Sequence, residues 1–574
     1  MAQVAEQAKR YHVSKDFAGI NTKANRTAIG PNEFAWIENI QPIGYSNARA
    51  VPAQSNALVT QGGETFYACY SANISNTDYV FLFSTTGKAF QVKLSDYTVT
   101  TIGSAGTFGT SGATIAQWKN ERIVIATPTK GIFTWDGTNL VSIGSIQTIT
   151  VTNGGSGYPA STTVTLGAPN QTGGVQATAS PTISGGVITG ILVNEAGSGY
   201  TSAPSVTITG SPGVNASATA TVFSQNASSI ATYSGRTWLG YQRDLFYSAV
   251  ETYNDFGTET AGFVVFTDET LHSNITALQS ANQYLYVFGV DSINVIGDVR
   301  LTTGTPAVTI FTNTNVSASI GTAFPDSIFP YYRSILFMNR YGMFALTGAT
   351  TTKISDALDG IFPYIDFTLP INGGQGLINN ILCAVFQFTY NDPASSPRVI
   401  QAVFFEKKWF ITSQGTGLVT LCGAPKSGVP TVYIGDATKL YQAYGNTSAN
   451  VSTTFKSALW PLNDPIRDKE ALKFGVEATL TNAATINVTV DSEIGSSPVY
   501  SLTNIITWYN NSGVVIPWVN GSSVTIDWLY SGGYALYKSD AEQWGKYLGL
   551  TITSTTPGLT YNTLELEHEL RARF

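Results

Sequence analysis

The chain has 574 residues and a mass of 61.2 kDa, room for roughly four domains at about 150 residues each. Only 12% of residues are charged, against about 25% in an average soluble protein, while 43% are hydrophobic and 55 are glycine. With 29 Tyr, 29 Phe and 10 Trp, such a chain is too aromatic for disorder and too poor in Ala, Glu, Lys and Arg for a coiled coil. The net charge of −7 argues against a basic nucleic-acid binder.

The N-terminal stretch MAQVAEQAKRYHVSKDF has no apolar core, so no signal peptide is expected. No apolar run approaches the roughly 20 residues of a membrane helix. Cys69, Cys383 and Cys422 are odd in number and far apart, which implies no disulfide framework. Residues 1–50 read as an extended arm lacking strand pairs, with one short helix over Pro31–Asn39 begun by its proline.

From there a pattern recurs: an apolar strand, a polar turn and a second strand carrying aromatics. It appears as YVFLF-STTG-KAFQV, IVIA-TPTKG-IFTW, TWLGY-QRD-LFYSA, LYVFG-VDS-INVIG, ILFM-NRYG-MFAL, AVFQFTY-NDPASSP-RVIQAVFF and VYIG-DATK-LYQAYG. Gly, Asp, Asn and Pro between β-branched and aromatic runs are the hairpin signature. The markers Val80, Ile123, Trp238, Leu285, Ile335, Ala384 and Val432 are separated by 43, 115, 47, 50, 49 and 48 residues. Removing the 75 residues Gln147–Thr221 reduces the one long interval to 40. A period of about 40–50 residues predicts an all-β chain whose residues 51–146 and 222–445 form a β-propeller of six to eight blades.

The insertion 147–221 is itself duplicated. Its two GSGY turns, Gly155–Tyr158 and Gly197–Tyr200, lie 42 residues apart. Gly157, Tyr158, Gly199 and Tyr200 are candidate ligand-binding turn residues. The structural alternative is that glycine supplies positive φ while tyrosine packs back over the turn. Residues 446–574 change character. A charged link over Asn463–Glu470 precedes the strand patterns TINVTVDSE, SSVTIDWLY and YLGLTITS. They predict a C-terminal β-domain, or strands that complete the propeller plus a sandwich. In LELEHELRARF, Glu565, Glu567 and Glu569 share one strand face opposite Leu564, Leu566, His568 and Leu570. That pattern reads as an amphipathic edge strand guarded by charge rather than a metal site.

Catalytic signals are sparse. The three histidines are His12, His272 and His568, and no G-x-S-x-G elbow surrounds Ser111 or Ser156. GATTTK at Gly348–Lys353 lacks the second glycine of a phosphate loop. The single TWDG at Thr134–Gly137 is a turn bead of the kind found in glycosidase propellers. No catalytic residue, metal ligand or cofactor site is assigned. Tyr241, Tyr331, Tyr332 and Trp409 are candidate sugar-stacking residues, with hydrophobic filling as the alternative.

The stretch DFAGINTKANRTAIGPNEFAWIENIQP, with Gly19, Ile20, Asn21, Thr22 and Lys23 followed by Pro31, Glu33 and Asn39, resembles the opening of the tail nozzle (tail tubular protein B) family of short-tailed bacteriophages. The duplicated GSGY insertion also looks like small β-modules inside phage tail proteins, although that family does not uniformly carry one. The resemblance implies a non-enzymatic virion protein made in the host cytoplasm. It implies a homohexamer at the distal tail end that docks an adaptor ring through the N-terminal arm, close to tail fibres or the host surface. Double-stranded DNA would pass its channel without specific binding. It further implies that removing residues 1–50 impairs docking more than folding. The alternatives are a receptor- or glycan-binding tail protein and, third, a propeller glycosidase.

Overall fold

A computed structural model describes residues 9–571 apart from 268, 481–482, 524, 527 and 530–532. It is all-β, with 54% of residues in strands and 2% in helix. Each of the seven hairpins forms, and each supplies the second and third strands of a four-stranded antiparallel unit; six of these units are separate sheets and the sixth in the series is one end of an 11-stranded sheet. The first sheet comprises Phe66–Ile74, Thr77–Ser84, Ala89–Lys93 and Val99–Ile102; the second comprises Thr114–Trp118, Arg122–Thr127, Gly131–Trp135 and Leu140–Ser142. The third runs over 229–265, the fourth over 277–317 and the fifth over 329–353. The sixth takes Asn372–Ile378, Ile381–Tyr390, Arg398–Phe405 and Lys408–Thr412.

The seventh sheet is assembled differently. Thr420–Lys426, Val429–Gly435 and Lys439–Gln442 are followed not by a fourth consecutive strand but by Val59–Thr60, which lies upstream of the first sheet and pairs with Lys439 and Leu440. One end of the series is thus hydrogen-bonded to the other. The first strands pack in succession from the fifth sheet through the sixth, seventh and first to the fourth, and that of the seventh lies beside that of the first, where Ser71 Oγ donates to the Gly423 carbonyl at 2.8 Å. Between neighbouring sheets lie separate apolar layers: Phe81, Phe83, Ile123 and Ile125 between first and second, and Phe288, Ile335 and Phe337 between fourth and fifth. Fully burying each such side chain contributes roughly 1.5–3 kcal/mol.

The insertion leaves the second sheet through Ile146–Ser156 and returns through Val214–Val222, an antiparallel pair in which Ile146 faces Val222. A further four-stranded sheet, Val187–Glu195, Thr178–Ser184, Thr163–Leu166 and Val206–Thr209, completes it. Ile146, Ile149, Leu166, Val193 and Tyr200 form its own core.

The N-terminal segment departs from the expected arm. Pro31–Asn39 is not helical: Glu33–Glu38 is a strand that pairs antiparallel with Thr453–Ser457 and meets the sixth sheet through Glu38 and Ile411. Arg10–Ser14, Gly19–Ile20, Ile40–Gly44 and Asn47–Ala50 are also strands. Together with the C-terminal strands they build two layers. One holds Ile40–Gly44, Asn47–Ala50, Thr560–Leu570, Lys469–Leu480 and Gly533–Gly545; the other holds Glu33–Glu38, Thr453–Ser457, Leu548–Ser554 and Thr485–Ser492. Phe34 and Phe455, with ring centroids 4.8 Å apart, and Tyr561, 5.0 Å from Phe455, join the layers. This core is continuous with that of the sixth sheet. The C-terminal strand alternates as expected, but it is no edge strand: Thr560–Leu570 lies between Lys469–Leu480 on one side and Arg10–Ser14 and Asn47–Ala50 on the other. Residues 1–8 and 572–574, and part of SSVTIDWLY, lie outside the described residues. Among those described, no helix is long and apolar enough to cross a membrane.

Candidate functional site

The first strands of all seven sheets converge on one cavity of about 730 Å³. Tyr70 comes from the first sheet, Gln117 from the second, Ser229 from the third and Gln279 from the fourth; Asp326 precedes the fifth, and Gln375 and Cys422 belong to the sixth and seventh. The first strand is the inner edge of each sheet, so consecutive residues border the cavity, as do Ser228–Thr232 and Thr276–Ser280. Among the described lining residues Asp326 is the sole carboxyl, and no lysine, arginine or histidine is present. The Tyr70 hydroxyl hydrogen-bonds to Asp326 at 2.8 Å. Burial raises the Asp326 carboxyl above its ordinary range and the Tyr70 phenol well above its own. Burial raises the Cys69 thiol as well, with Cys422 beside it. The wall therefore carries one carboxyl, Asp326, which accepts from Tyr70, and no basic side chain among its described residues.

The histidines lie elsewhere. His272 Nδ1 stands 3.7 Å from Asp291 on the surface. His12 and His568 meet in the two-layered unit, where the His12 ring lies tilted against Trp460 with centroids 4.2 Å apart. His12 Nε2 and both ring nitrogens of His568 are buried without a hydrogen-bond partner. Beside them Lys469, fully buried, donates to the carbonyls of Asp464, of Arg467 at 2.8 Å and of Lys546 at 2.7 Å. Among the described residues no group of three or more His, Cys, Asp or Glu is arranged to hold a metal.

Of the eight N-terminal motif residues Gly19, Ile20 and Asn39 are buried and Asn21, Thr22 and Glu33 half-buried. Gly19 and Ile20 pair in parallel with Glu33 and Phe34. A Cβ on Gly19, at φ +103°, would stand 2.8 Å from the Trp409 carbonyl oxygen, so the close approach requires glycine. Glu33 Oε2 accepts the Gly30 amide at 2.7 Å and Asn21 Nδ2 at 2.8 Å. The Thr22 amide donates to the Ala357 carbonyl at 2.7 Å. Asn39 donates to Ser452 O at 2.7 Å and accepts from the Ser413 amide at 2.9 Å. Lys23 and Pro31 are exposed. The motif is thus a clasp between the two-layered unit and the fifth and sixth sheets, and not the extended arm without strand pairs expected of it. Next to it Arg398 grips Glu38 with both Nη groups. Burial raises the Glu38 carboxyl, but the bonds and charge of Arg398, with Trp36 and Ser413, outweigh it and hold the group low.

The GSGY turns are likewise internal. Gly157 and Gly199 have φ of +76° and +79°. Tyr158 OH accepts the Ala216 amide at 3.1 Å; Tyr200 OH accepts the Ala177 amide at 2.9 Å and donates to Gly167 O at 3.1 Å. Each turn therefore seats against the Gly-Val-x-Ala run of the other copy, 213–216 for the first and 174–177 for the second. Both tyrosines are buried, which corresponds to the structural alternative and leaves no ring free to stack on a ligand. Of the sugar-stacking candidates, Tyr331 and Trp409 are buried and donate to Leu382 O at 3.1 Å and Ile354 O at 2.8 Å. Tyr332 is exposed.

Sequence patterning missed the axial cavity, because the first strands carry little hairpin signal. It also missed the exposed aromatics Trp508, Tyr509 and Trp518, although the tryptophans of that stretch marked it. Compared with known proteins, the chain matches no family model and no curated protein.

Proposed function

We propose that this chain is a structural subunit of the tail nozzle of a short-tailed bacteriophage, built on a seven-bladed β-propeller and assembled as a homohexamer. The seven four-stranded sheets are its blades, Val59–Thr60 closes the ring, residues 147–221 are an inserted module, and the two-layered unit is a second domain. The observation that carries the propeller is the succession of seven first strands around one cavity, with the seventh sheet completed from upstream of the first. The N-terminal clasp supports the nozzle reading, because the residues that resemble the family are the ones that bind propeller to second domain. The axial wall, whose one carboxyl is held by Tyr70 and which has no basic side chain among its described residues to grip an anionic substrate, supports a non-catalytic role.

A volume of about 730 Å³ corresponds to a span of roughly 9 Å, narrower than the major groove of duplex DNA alone at about 12 Å. Genomic DNA must therefore run between subunits, through the lumen of the hexamer. A closed ring of identical heterologous contacts provides such a lumen, and subunits of net charge −7 would not grip phosphate. Docking to the adaptor ring then falls to surfaces other than the buried motif residues. Negative-stain electron microscopy of the purified chain, alone and with tail components, tests the reading. Six-fold rings or funnels at the distal tail end are expected. Monomers that never join a tail would overturn it and make glycan screening the next step.

A further inference from the structure

The segment 505–529 leaves the two-layered unit through a stem in which Ile505 pairs with Leu529 and Ile506 with Trp528. Beyond it the backbone folds into two small hairpins. Tyr509 bridges Val515, with the Ile516 amide donating to Trp508 O at 2.8 Å; Val519 bridges Thr525, with the Ile526 amide donating to Trp518 O at 2.6 Å. Asn510 caps the first turn, its Oδ1 accepting the amides of Ser512 and Val514, each at 2.9 Å. The tip is ordered by its own backbone bonds and not by a core.

Its side chains are the wrong kind for water. Trp508 is 50% exposed, Trp518 48%, Val514 59%, Val515 51% and Ile516 47%. Val514, Val515 and Ile516 are consecutive, and successive residues of an extended chain point to opposite faces. Neither face of the tip is therefore covered. A docking site for one protein partner needs a single bare face backed by its own fold; apolar exposure on both faces suits immersion in an apolar medium. The sequence from Ile494 to Ile526 contains no charged residue, a run of 33 that ends at Asp527, and the segment 505–529 holds three of the ten tryptophans of the chain. Tryptophan and tyrosine favour the water–lipid boundary. Open strand edges cannot lie in the hydrocarbon interior, so the depth is that of the headgroup and upper acyl region.

We propose that the tip 505–529 is a lipid-binding element that inserts at the interface of a bilayer through Trp508, Val515, Ile516 and Trp518. The inference goes beyond the nozzle reading and does not depend on ring assembly. With no basic residue and only Asp527 charged in 505–529, binding draws on apolar burial rather than anionic headgroups, and so it persists at high salt.

The test is flotation of the full-length chain with phosphatidylcholine vesicles, together with tryptophan emission. Co-flotation that survives raised salt, with a blue shift, is expected. W508S/W518S should lower partitioning by about tenfold or more per tryptophan while keeping the melting midpoint, because neither ring lies in the core. Quenching of wild-type emission by brominated lipid gives a second readout that needs no variant. Absence of flotation and quenching, or equal flotation by the variant, would overturn the proposal. Lipid-free self-association that the double substitution abolishes, with no flotation, would overturn it in favour of a second copy as the occupant.

Discussion

Glu33 illustrates how single side chains hold the N-terminal strands. One carboxylate oxygen accepts both the Gly30 amide and Asn21 Nδ2. Glu33→Ala should cost about 1–3 kcal/mol, since it leaves two donors unsatisfied; Glu33→Gln should cost less, since its amide oxygen still accepts. Urea denaturation midpoints distinguish the two. His12 and His568 make an opposite case, of buried polar atoms without partners. Burial first, then the charge of His568, lowers His12 from 6.5 to about 4. Burial, then Lys469 and Arg10, lowers His568 from 6.5 to about 4. Both folded values lie below the unfolded one, so the unfolded chain takes up protons first as pH falls. Their contribution is complete above about 6.5 and is lost as pH falls towards 4, at up to about 1.4 kcal/mol per pH unit for each imidazole. His568→Leu should keep stability near pH 7 and flatten the fall between 6.5 and 4, measured by thermal melting across that range. A midpoint that falls equally in both proteins would locate the acid sensitivity elsewhere.

At the scale of elements, the hairpins were legible and their neighbours were not. Trp238, Leu285 and Ile335 all lie on second strands, where alternating apolar residues meet a tight turn. First and fourth strands pair on one side within their sheets and carry weaker patterns, as in Thr350–Lys353, TTTK. The segment Glu33–Glu38 was misread because a proline two residues upstream imitates a helix start. Its real partners are Thr454–Ser457, more than 400 residues away, and pairing over such distances leaves no local trace. The inserted module behaves as a unit. Its ends are paired, Ile146 against Val222, and its core is its own, so deletion of 147–221 with a short glycine bridge should leave a cooperatively melting protein. The Tm should fall modestly, because the deletion removes docking bonds such as Ser142 N to Gln171 Oε1 at 2.7 Å and Asn254 Nδ2 to Gly197 O at 2.6 Å. Loss of soluble protein would show the module to be integral.

For the whole molecule, the largest revision concerns residues 1–50. A docking arm would be dispensable for folding. These residues instead bury Phe17, Phe34, Ile37 and Ile40 to within 1% of full burial, worth together roughly 6–12 kcal/mol at about 1.5–3 each. Total stabilities are about 5–15 kcal/mol, so truncation at residue 50 should abolish the fold of the two-layered unit, not merely weaken assembly. Circular dichroism and proteolysis of the truncated chain decide this; a native-like, protease-resistant product would restore the arm. The exposed residues Lys23 and Pro31 are the two motif positions at which substitution should spare stability.

What the sequence determined by itself was local. Apolar alternation, turn chemistry and the spacing of seven hairpins defined an all-β chain, its repeat and its insertion, because these depend on contacts between near neighbours. The GSGY duplication was legible for the same reason. Only the tertiary structure decided that Val59–Thr60 completes the seventh sheet, that the N-terminal motif is a clasp, that Thr560–Leu570 is an interior strand and that Trp508 and Trp518 are half-exposed. Each of these rests on pairing between distant segments, or on the lack of any cover, and neither is written in the periodicity of a single stretch of chain.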